Sequence, residues 1–219
     1  MTELTLIRHA QSRAQTGEEP WLDPDLTPLG QRQARAAATY FSGNRFDLTI
    51  VSPLLRARKT FELMRVRTTE IQFDARLVEV TLNRGPGYDY RALLPYLTPS
   101  YGRPDQSDMW LAPAGRRVAS LLAELRGFPG RVLMVGHCGT FHVIRHYLLG
   151  DPIDGEPIFD RAARALIMDN VALTTARLGA SPRHDAVLQW NQPLLPQPAV
   201  VDPRSLQVLK SPTQSAQQE

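Results

Sequence analysis

Short apolar segments alternate with stretches of helical spacing, and this pattern restricts the chain to one class of fold. The segments Leu4–Ile7, Leu48–Val51 and Val132–Val135 are almost continuously apolar, which indicates strands buried on both faces. Strands separated by helices favour parallel pairing, because a parallel connection needs a crossover. We therefore predict an α/β fold, a three-layer α/β/α sandwich with a mostly parallel central sheet. The other predicted strands are Ile71–Phe73, Ala165–Met168 and Val171–Leu178, and the predicted helices are Thr27–Phe41, a segment opening at Ser52-Pro53, Pro113–Arg126 and Thr140–Leu149.

Two of these helices begin with the same chemical signal. Thr27-Pro28 and Ser52-Pro53 each place a hydroxyl side chain before a proline. A hydroxyl oxygen accepts a hydrogen bond from the first turn, and proline suits the first helical position, where its missing N–H is not needed. We therefore predict N-caps at Thr27 and Ser52.

The chain length and two changes in composition define the domain organisation. At 219 residues the chain fits one domain, which buries enough apolar surface to fold without disulfide bonds. We assign this domain to residues 1–191. Residues 82–112 are rich in Gly, Pro and Tyr and interrupt the alternation, so we predict a cap-like insertion there. Residues 192–219 are rich in Pro and Gln, which predicts an extended tail.

Composition argues against several classes of protein. Cys138 is the single cysteine, so an internal disulfide is impossible and we expect a cytoplasmic location. The N-terminus does not resemble a signal peptide and no apolar run could cross a bilayer, so we expect no membrane partner. The net charge of +3 is modest and the arginines are scattered, which argues against nucleic acid. Guanidinium groups that converge in the fold would suit a small phosphorylated ligand. Monomer and dimer both remain open.

Two histidines follow predicted strands at the point where each strand ends. His9 comes directly after Leu4–Ile7 and Arg8, and His137 comes after Val132–Val135 and a glycine. Ligands of open α/β sheets bind at the carboxyl ends of the strands, so both histidines stand where a site is expected. The helix after the second strand contributes Arg56, and the helix N-termini at Ser52 and Gly139 would add N–H donors for an anion.

This set of residues fits phosphoryl transfer. A neutral imidazole is nucleophilic near neutral pH, and it can displace an alkoxide from phosphorus and later yield the phosphoryl group to water. Arg8, Arg56 and His137 would meet the charge on the phosphoryl oxygens without a metal ion or a cofactor. The leaving alkoxide needs a proton, and Glu79 is the best-placed carboxyl group after the third strand.

Three motifs carry a family resemblance. The segments Leu6–Ser12 (LIRHAQS), Ser52–Thr60 (SPLLRARKT) and Val135–Thr140 (VGHCGT) resemble, in order, three motifs of the histidine phosphatase superfamily, which includes the cofactor-dependent phosphoglycerate mutases. Leu26–Gly30 and Arg76–Glu79 match the connecting elements, so the resemblance covers most of the chain. It implies a metal-independent phosphatase that acts on a small phosphate monoester.

The resemblance also implies a role for each matching residue. It makes His9 the phosphorylated nucleophile, with Arg8, Arg56 and His137 around the phosphate and Glu79 as the proton donor.

The chain departs from the family pattern in three places. Ala10 replaces the usual glycine, and Gln15 replaces an asparagine that often contacts phosphate. Gln15 is therefore a candidate phosphate contact, and Ser12, the last residue of the first motif, is another. The segment after Glu79 does not match the family pattern, so Asp74 and Asp89 stay open as alternative proton donors.

The histidines of the chain allow rival interpretations. His142 and His146 lie four residues apart on one helix and could bind zinc, although the complete zinc motif with glutamate is missing. A histidine at a strand end can also be a hydrogen-bonded core residue. A catalytically silent phospholigand-binding module and a phosphoglycerate-type phosphomutase complete the alternatives.

Overall fold

The computed structural model describes residues 1–19, 23–79, 111–150 and 168–195. In these ranges the chain forms a six-stranded sheet with the strand order β3-β2-β4-β1-β5-β6. The first four strands in the chain pair in parallel, and β5 and β6 are added antiparallel at the β1 edge. The strands are β1 (Thr2–Arg8), β2 (Arg45–Val51), β3 (Arg67–Phe73), β4 (Gly130–Gly136), β5 (Ala172–Leu178) and β6 (Ala186–Pro193), and the helices are α1 (Pro28–Phe41), α2 (Leu55–Met64), α3 (Leu111–Leu125) and α4 (Cys138–Leu149).

Helices cover both faces of the sheet, and this confirms the predicted three-layer sandwich. Successive side chains of a strand point to opposite faces. In β4, Val132 and Met134 join a core cluster with α3 and α4, whereas Leu133 and Val135 join a second cluster with α1 and α2. The buried strands are apolar throughout because each contributes to two cores. None of the described helices is both long and apolar enough to span a bilayer.

The Thr27 cap is confirmed, whereas the Ser52 cap is wrong. Thr27 Oγ1 accepts a hydrogen bond of 2.9 Å from Gly30 N. Helix α2 instead begins at Leu55, and the N-cap residue Leu54 makes no capping bond through its side chain. Asp23, from the loop before α1, accepts from Leu55 N at 2.6 Å and supplies the cap from a distant part of the sequence.

The predictions for the edge strands need correction. Strand β3 is four residues longer at its start than the predicted Ile71–Phe73, and β6 was not predicted. Both are edge strands with much solvent-exposed surface, so neither needs the apolar run that marks a buried strand. Strand β6 takes in the first two residues assigned to the tail. The predicted strand Ala165–Met168 falls outside the described residues except for Met168, which lies in no strand.

The insertion lies almost wholly outside the described residues. The part of 82–112 that the structure describes, residues 111 and 112, belongs to the first turn of α3. Helix α4 begins at Cys138, two residues before the predicted start, so the helix N-terminus directly follows His137.

Candidate active site

Strands β1 and β4 bring the two strand-end histidines together. The strands are parallel neighbours with Arg8 opposite Gly136, and His9 N donates to Gly136 O at 2.9 Å. The His9 and His137 ring centroids are 5.1 Å apart, and both residues are buried, at 3% and 0% exposure. Two residues separated by 128 positions in the chain therefore share one site because their strands pair in register.

Helix α2 adds an arginine to this pair. Arg56 is buried in the first turn of the helix, and its Nε donates to His9 Nε2 at 3.3 Å. The Thr60 hydroxyl, one turn further, donates to Arg56 O at 2.6 Å and accepts from Ala10 N at 3.0 Å. Arg8 is half-buried, and its guanidinium donates to Met168 O. Helix α2 is thus bonded to the turn that carries His9.

The hydrogen bonds of His9 fix its tautomer. His9 Nδ1 lies 2.7 Å from Ala10 O. A carbonyl oxygen only accepts, so Nδ1 carries the proton, and the donation from Arg56 requires a lone pair on Nε2. The nitrogen that faces the arginine is therefore the unprotonated one, as a nucleophile must be.

His137 is held by a serine at the end of the neighbouring strand. Ser52 Oγ lies 2.7 Å from His137 Nε2, and Ser52 N donates to Val135 O at 2.9 Å. His137 Nδ1 is buried and has no hydrogen-bond partner among the described residues. Sequence reasoning assigned the hydroxyl to a helix cap and missed this role, which becomes visible only once β2 is known to lie beside β4.

Both imidazoles are kept neutral by their surroundings. Burial lowers the pKa of His9 well below its usual value, and the charges of Arg56 and Arg8 lower it further, against a smaller opposite effect of the Ala10 carbonyl. Burial likewise lowers the pKa of His137, and the charges of Arg56, Arg8 and Arg117 lower it further. Neutral imidazoles beside fixed cations form a site that is ready for an anion.

These pKa shifts predict that the free energy of unfolding falls as the pH drops below about 6.5. The unfolded histidines then bind protons that the folded protein excludes, at up to about 1.4 kcal/mol per pH unit for each group. We expect urea unfolding between pH 7.5 and 5.5 to show a smaller decline for His137→Gln than for the wild type. The exposed His184 provides the control variant His184→Gln, which should keep the wild-type slope. Equal slopes for the wild type and His137→Gln would contradict this account.

The chain places Glu79 at the N-terminus of α4, next to His137. A 3₁₀ turn, Ala75–Leu77, leads into this position. Thr140 N donates to Glu79 Oε1 at 3.2 Å, and Thr140 Oγ1 donates to Val78 O at 2.8 Å. The carboxylate therefore lies at the same edge of the sheet as the histidines.

The alternative proton donors have different surroundings. Asp74 forms an ion pair of 2.6 Å with Arg76 and accepts from the backbone N–H of the same residue at 2.7 Å, so its carboxylate stabilises the turn. Asp89 lies outside the described residues. Glu79 remains the predicted acid.

The candidate contacts Gln15 and Ser12 belong to a hydrogen-bond network that ends on the backbone carbonyl of His9. Gln15 Oε1 accepts from Ser12 N at 3.0 Å, and Gln15 Nε2 donates to Asn170 Oδ1 at 3.0 Å. Asn170 Nδ2 donates in turn to His9 O at 2.9 Å. Sequence reasoning did not single out Asn170. The bond to Asn170 uses one of the two Gln15 amide hydrogens, so contact of Gln15 with phosphate remains a prediction.

Comparison with models of known protein families identifies the family of this chain. The model of the histidine phosphatase superfamily (branch 1) matches residues 4–192. The chain belongs to the histidine phosphatase superfamily. This match confirms the family predicted from the three motifs. With its phosphatase relatives, it identifies the protein as a phosphatase, a phosphoric monoester hydrolase.

The relatives of this histidine phosphatase include both phosphatases and mutases. It is 31% identical over 162 residues to "Putative phosphoserine phosphatase 2" of Hydrogenobacter thermophilus, which covers 68% of this chain and 80% of that protein. It is 44% identical over 68 residues to the 2,3-bisphosphoglycerate-dependent phosphoglycerate mutase of Pseudoalteromonas atlantica, and this match spans 30% of each protein. A solved phosphoserine phosphatase from Entamoeba histolytica, in complex with 3-phosphoglyceric acid, has a TM-score of 0.64 at 24% identity and covers 89% of this chain and 98% of that one. That structural match shows the shared fold.

His142 and His146, the candidate zinc ligands of this histidine phosphatase, both lie on α4. His142 is buried on α4 and its ring packs against Trp190 of β6 at 5.1 Å. Among the described residues, no three or more His, Cys, Asp or Glu side chains are grouped so that they could hold a metal ion. Burial raises the pKa of the Cys138 thiol, which makes the thiolate less available.

Proposed function

We propose that this phosphatase hydrolyses a small phosphate monoester through a phosphohistidine on His9. The observation that carries the proposal is the position of Nε2 on the buried His9 ring, where it accepts a hydrogen bond of 3.3 Å from Arg56 Nε. A neutral imidazole nitrogen beside a guanidinium group is matched to a phosphoryl group, which needs a nucleophile at phosphorus and cations at its oxygens.

The phosphate pocket is proposed to use Arg8, Arg56 and His137. Arg8 Nε and His137 Nδ1 are buried and have no hydrogen-bond partner among the described residues, and buried polar atoms are seldom left unpaired. Phosphoryl oxygens would supply these missing partners. Ser52 can donate its hydroxyl proton to His137 Nε2, which leaves a proton on Nδ1 for the phosphate.

In the first step, the lone pair of His9 Nε2 forms a bond to phosphorus and the ester P–O bond breaks. The leaving alkoxide takes a proton from the Glu79 carboxyl group, which becomes a carboxylate. Arg8 and Arg56 meet the charge that spreads over the equatorial oxygens. The products of this step are the free alcohol and a phosphohistidine.

In the second step, a water molecule gives a proton to the Glu79 carboxylate and its oxygen attacks phosphorus. The P–N bond breaks, and the electron pair returns to Nε2. Inorganic phosphate leaves, and His9 and Glu79 are again in their starting states. Nδ1 keeps its proton and donates it in a hydrogen bond to Ala10 O in both steps, so Nε2 remains the reactive nitrogen.

Phosphoserine is the first substrate to test, because a relative that aligns with two thirds of the chain is named for it. The candidate residues in the described ranges would contact the phosphoryl group. Because all phosphate monoesters share this group, these residues do not identify the substrate. We therefore propose a turnover screen that includes phosphoserine, 3-phosphoglycerate and an aryl phosphate, with EDTA present throughout.

The decisive measurement is the fate of the labelled enzyme. After mixing with ³²P-labelled substrate and alkaline quenching, we expect acid-labile, base-stable label on His9 that is released as inorganic phosphate within seconds. Vanadate should inhibit, because it adopts the trigonal-bipyramidal geometry of the transferring group. Label that persists for minutes and passes between phosphoglycerate hydroxyls would support the mutase instead. Loss of turnover in EDTA, restored by zinc, would contradict the metal-independent mechanism.

A further inference from the structure

The turn before β5 encloses the carboxyl end of β1. The Arg8 guanidinium donates to Met168 O, Asn170 Nδ2 donates to His9 O at 2.9 Å, and Val171 N donates to Arg8 O at 3.2 Å. The turn from Met168 to Val171 therefore makes three hydrogen bonds to the adjacent site residues Arg8 and His9.

Among these contacts, the bond from Asn170 acts on the peptide unit that orients the nucleophile. The C=O of the His9–Ala10 peptide accepts from Asn170, and its N–H donates to Thr60 Oγ1 at 3.0 Å. The imidazole Nδ1 is anchored on the carbonyl of the next peptide, Ala10 O, at 2.7 Å. Rotation of the first peptide would displace that carbonyl, so the tautomer and direction of the His9 ring depend on the bonds that hold this peptide.

Asn170 is itself held in place. Its Oδ1 accepts from Gln15 Nε2 at 3.0 Å, and its Nδ2 donates to Gln15 Oε1 at 3.2 Å. The two side-chain amides are therefore joined by a reciprocal pair of hydrogen bonds. The following residue, Val171, is buried with φ +57°. A β-branched residue in the left-handed region is strained by about 1–3 kcal/mol and persists only where surrounding contacts determine the backbone.

We propose that Asn170 is a positioning residue for the nucleophile, an inference that rests on the proposed role of His9. Its amide keeps the His9–Ala10 peptide in one orientation, so that Nδ1–H stays on Ala10 O and the Nε2 lone pair faces Arg56. Asn170 acts through the backbone and needs no contact with substrate. Its loss lowers the fraction of enzyme with a productive imidazole, which reduces kcat and leaves KM nearly unchanged.

The test uses two variants at this position. Asn170→Asp keeps the shape of asparagine and removes both N–H donors, and Asn170→Ala removes the whole amide. We expect each to lower kcat by about 10- to 100-fold, the size of effect seen when a residue that orients a metal-binding side chain is lost, with KM within about 3-fold. Imidazole ¹⁵N chemical shifts should show a single Nδ1–H tautomer of His9 in the wild type and a mixture in both variants.

Asn191→Ala is the matched control. Asn191 Oδ1 accepts from Asp169 N at 2.9 Å, so this variant also removes an asparagine bond to the same turn, yet the bond does not reach His9. We expect it to lower the melting temperature and to keep wild-type kcat and the single tautomer. If Asn170→Ala does not fold, the near-isosteric Asn170→Asp decides the question.

Any of three kinetic results would overturn the inference. These are a kcat within about 2-fold of wild type in Asn170→Asp, a loss confined to KM, or an equal loss in Asn191→Ala. The tautomer measurement needs no substrate, so it separates this inference from the proposed function. A wild-type enzyme that forms no phosphohistidine refutes the role of His9, whereas an unchanged tautomer in the Asn170 variants refutes positioning alone.

Discussion

Replacement of His9 by alanine is expected to lower phosphatase turnover by at least about 10⁴-fold. The variant lacks the nitrogen proposed to form the bond to phosphorus, so the proposed two-step route is closed and only binding and charge stabilisation remain. The loss should be seen in kcat for every substrate of the screen, and no acid-labile label should appear on the protein. Circular dichroism and the melting temperature would show that the fold is retained.

Two companion variants make this result specific. His137→Ala removes the neighbouring imidazole and should slow turnover, yet label should still accumulate on His9, because His137 is assigned to the phosphoryl oxygens. His142→Ala removes a ring that packs against Trp190 and should leave most activity. Label on His137, or a near wild-type rate for His9→Ala with an aryl phosphate, would contradict the assignment of the nucleophile.

The central sheet could be predicted from the sequence because its strands are buried on both faces. Residues such as Leu133 and Met134 belong to opposite cores, so the whole of β4 is apolar and stands out from its surroundings. Strand β6 carries no such signal. It is an edge strand with Leu188 56% exposed, and its partner β5 is antiparallel, so nothing in the sequence requires a continuous apolar run.

The site was predictable where its residues adjoin a strand in the sequence. His9 and His137 follow the two strands that pair at the centre of the sheet, and the motif spacing then placed Arg56 on the next helix. Ser52 and Asn170 were missed for a physical reason. Their hydrogen bonds reach residues 85 and 161 positions away. Serine and asparagine are so common in caps and turns that only the tertiary fold reveals such distant partners.

The second large effect is expected for Glu79→Gln, and its size should depend on the leaving group. Glutamine has the shape of glutamate but cannot deliver a proton, so the alkoxide of an alkyl ester such as phosphoserine must leave unprotonated. General acid catalysis is worth about 10²–10⁴-fold, and we expect a loss of this size in the single-turnover cleavage of alkyl phosphates. Activated aryl phosphates, whose leaving oxygens need little protonation, should lose less than about 10-fold in the same step.

The same variant tests the second half of the reaction. With an aryl phosphate, the first step stays fast while water lacks the base that takes its proton, so a burst of phenol and an accumulation of labelled His9 should precede slow turnover. Glu124→Gln is the matched control, because Glu124 lies on α3 with an exposed side chain and pairs with Arg76 at 2.7 Å. Equal losses for alkyl and aryl esters, without accumulation of label, would exclude Glu79 as the acid. Asp89→Asn would then be the next variant to measure, since the Asp74 carboxylate is already bonded to Arg76.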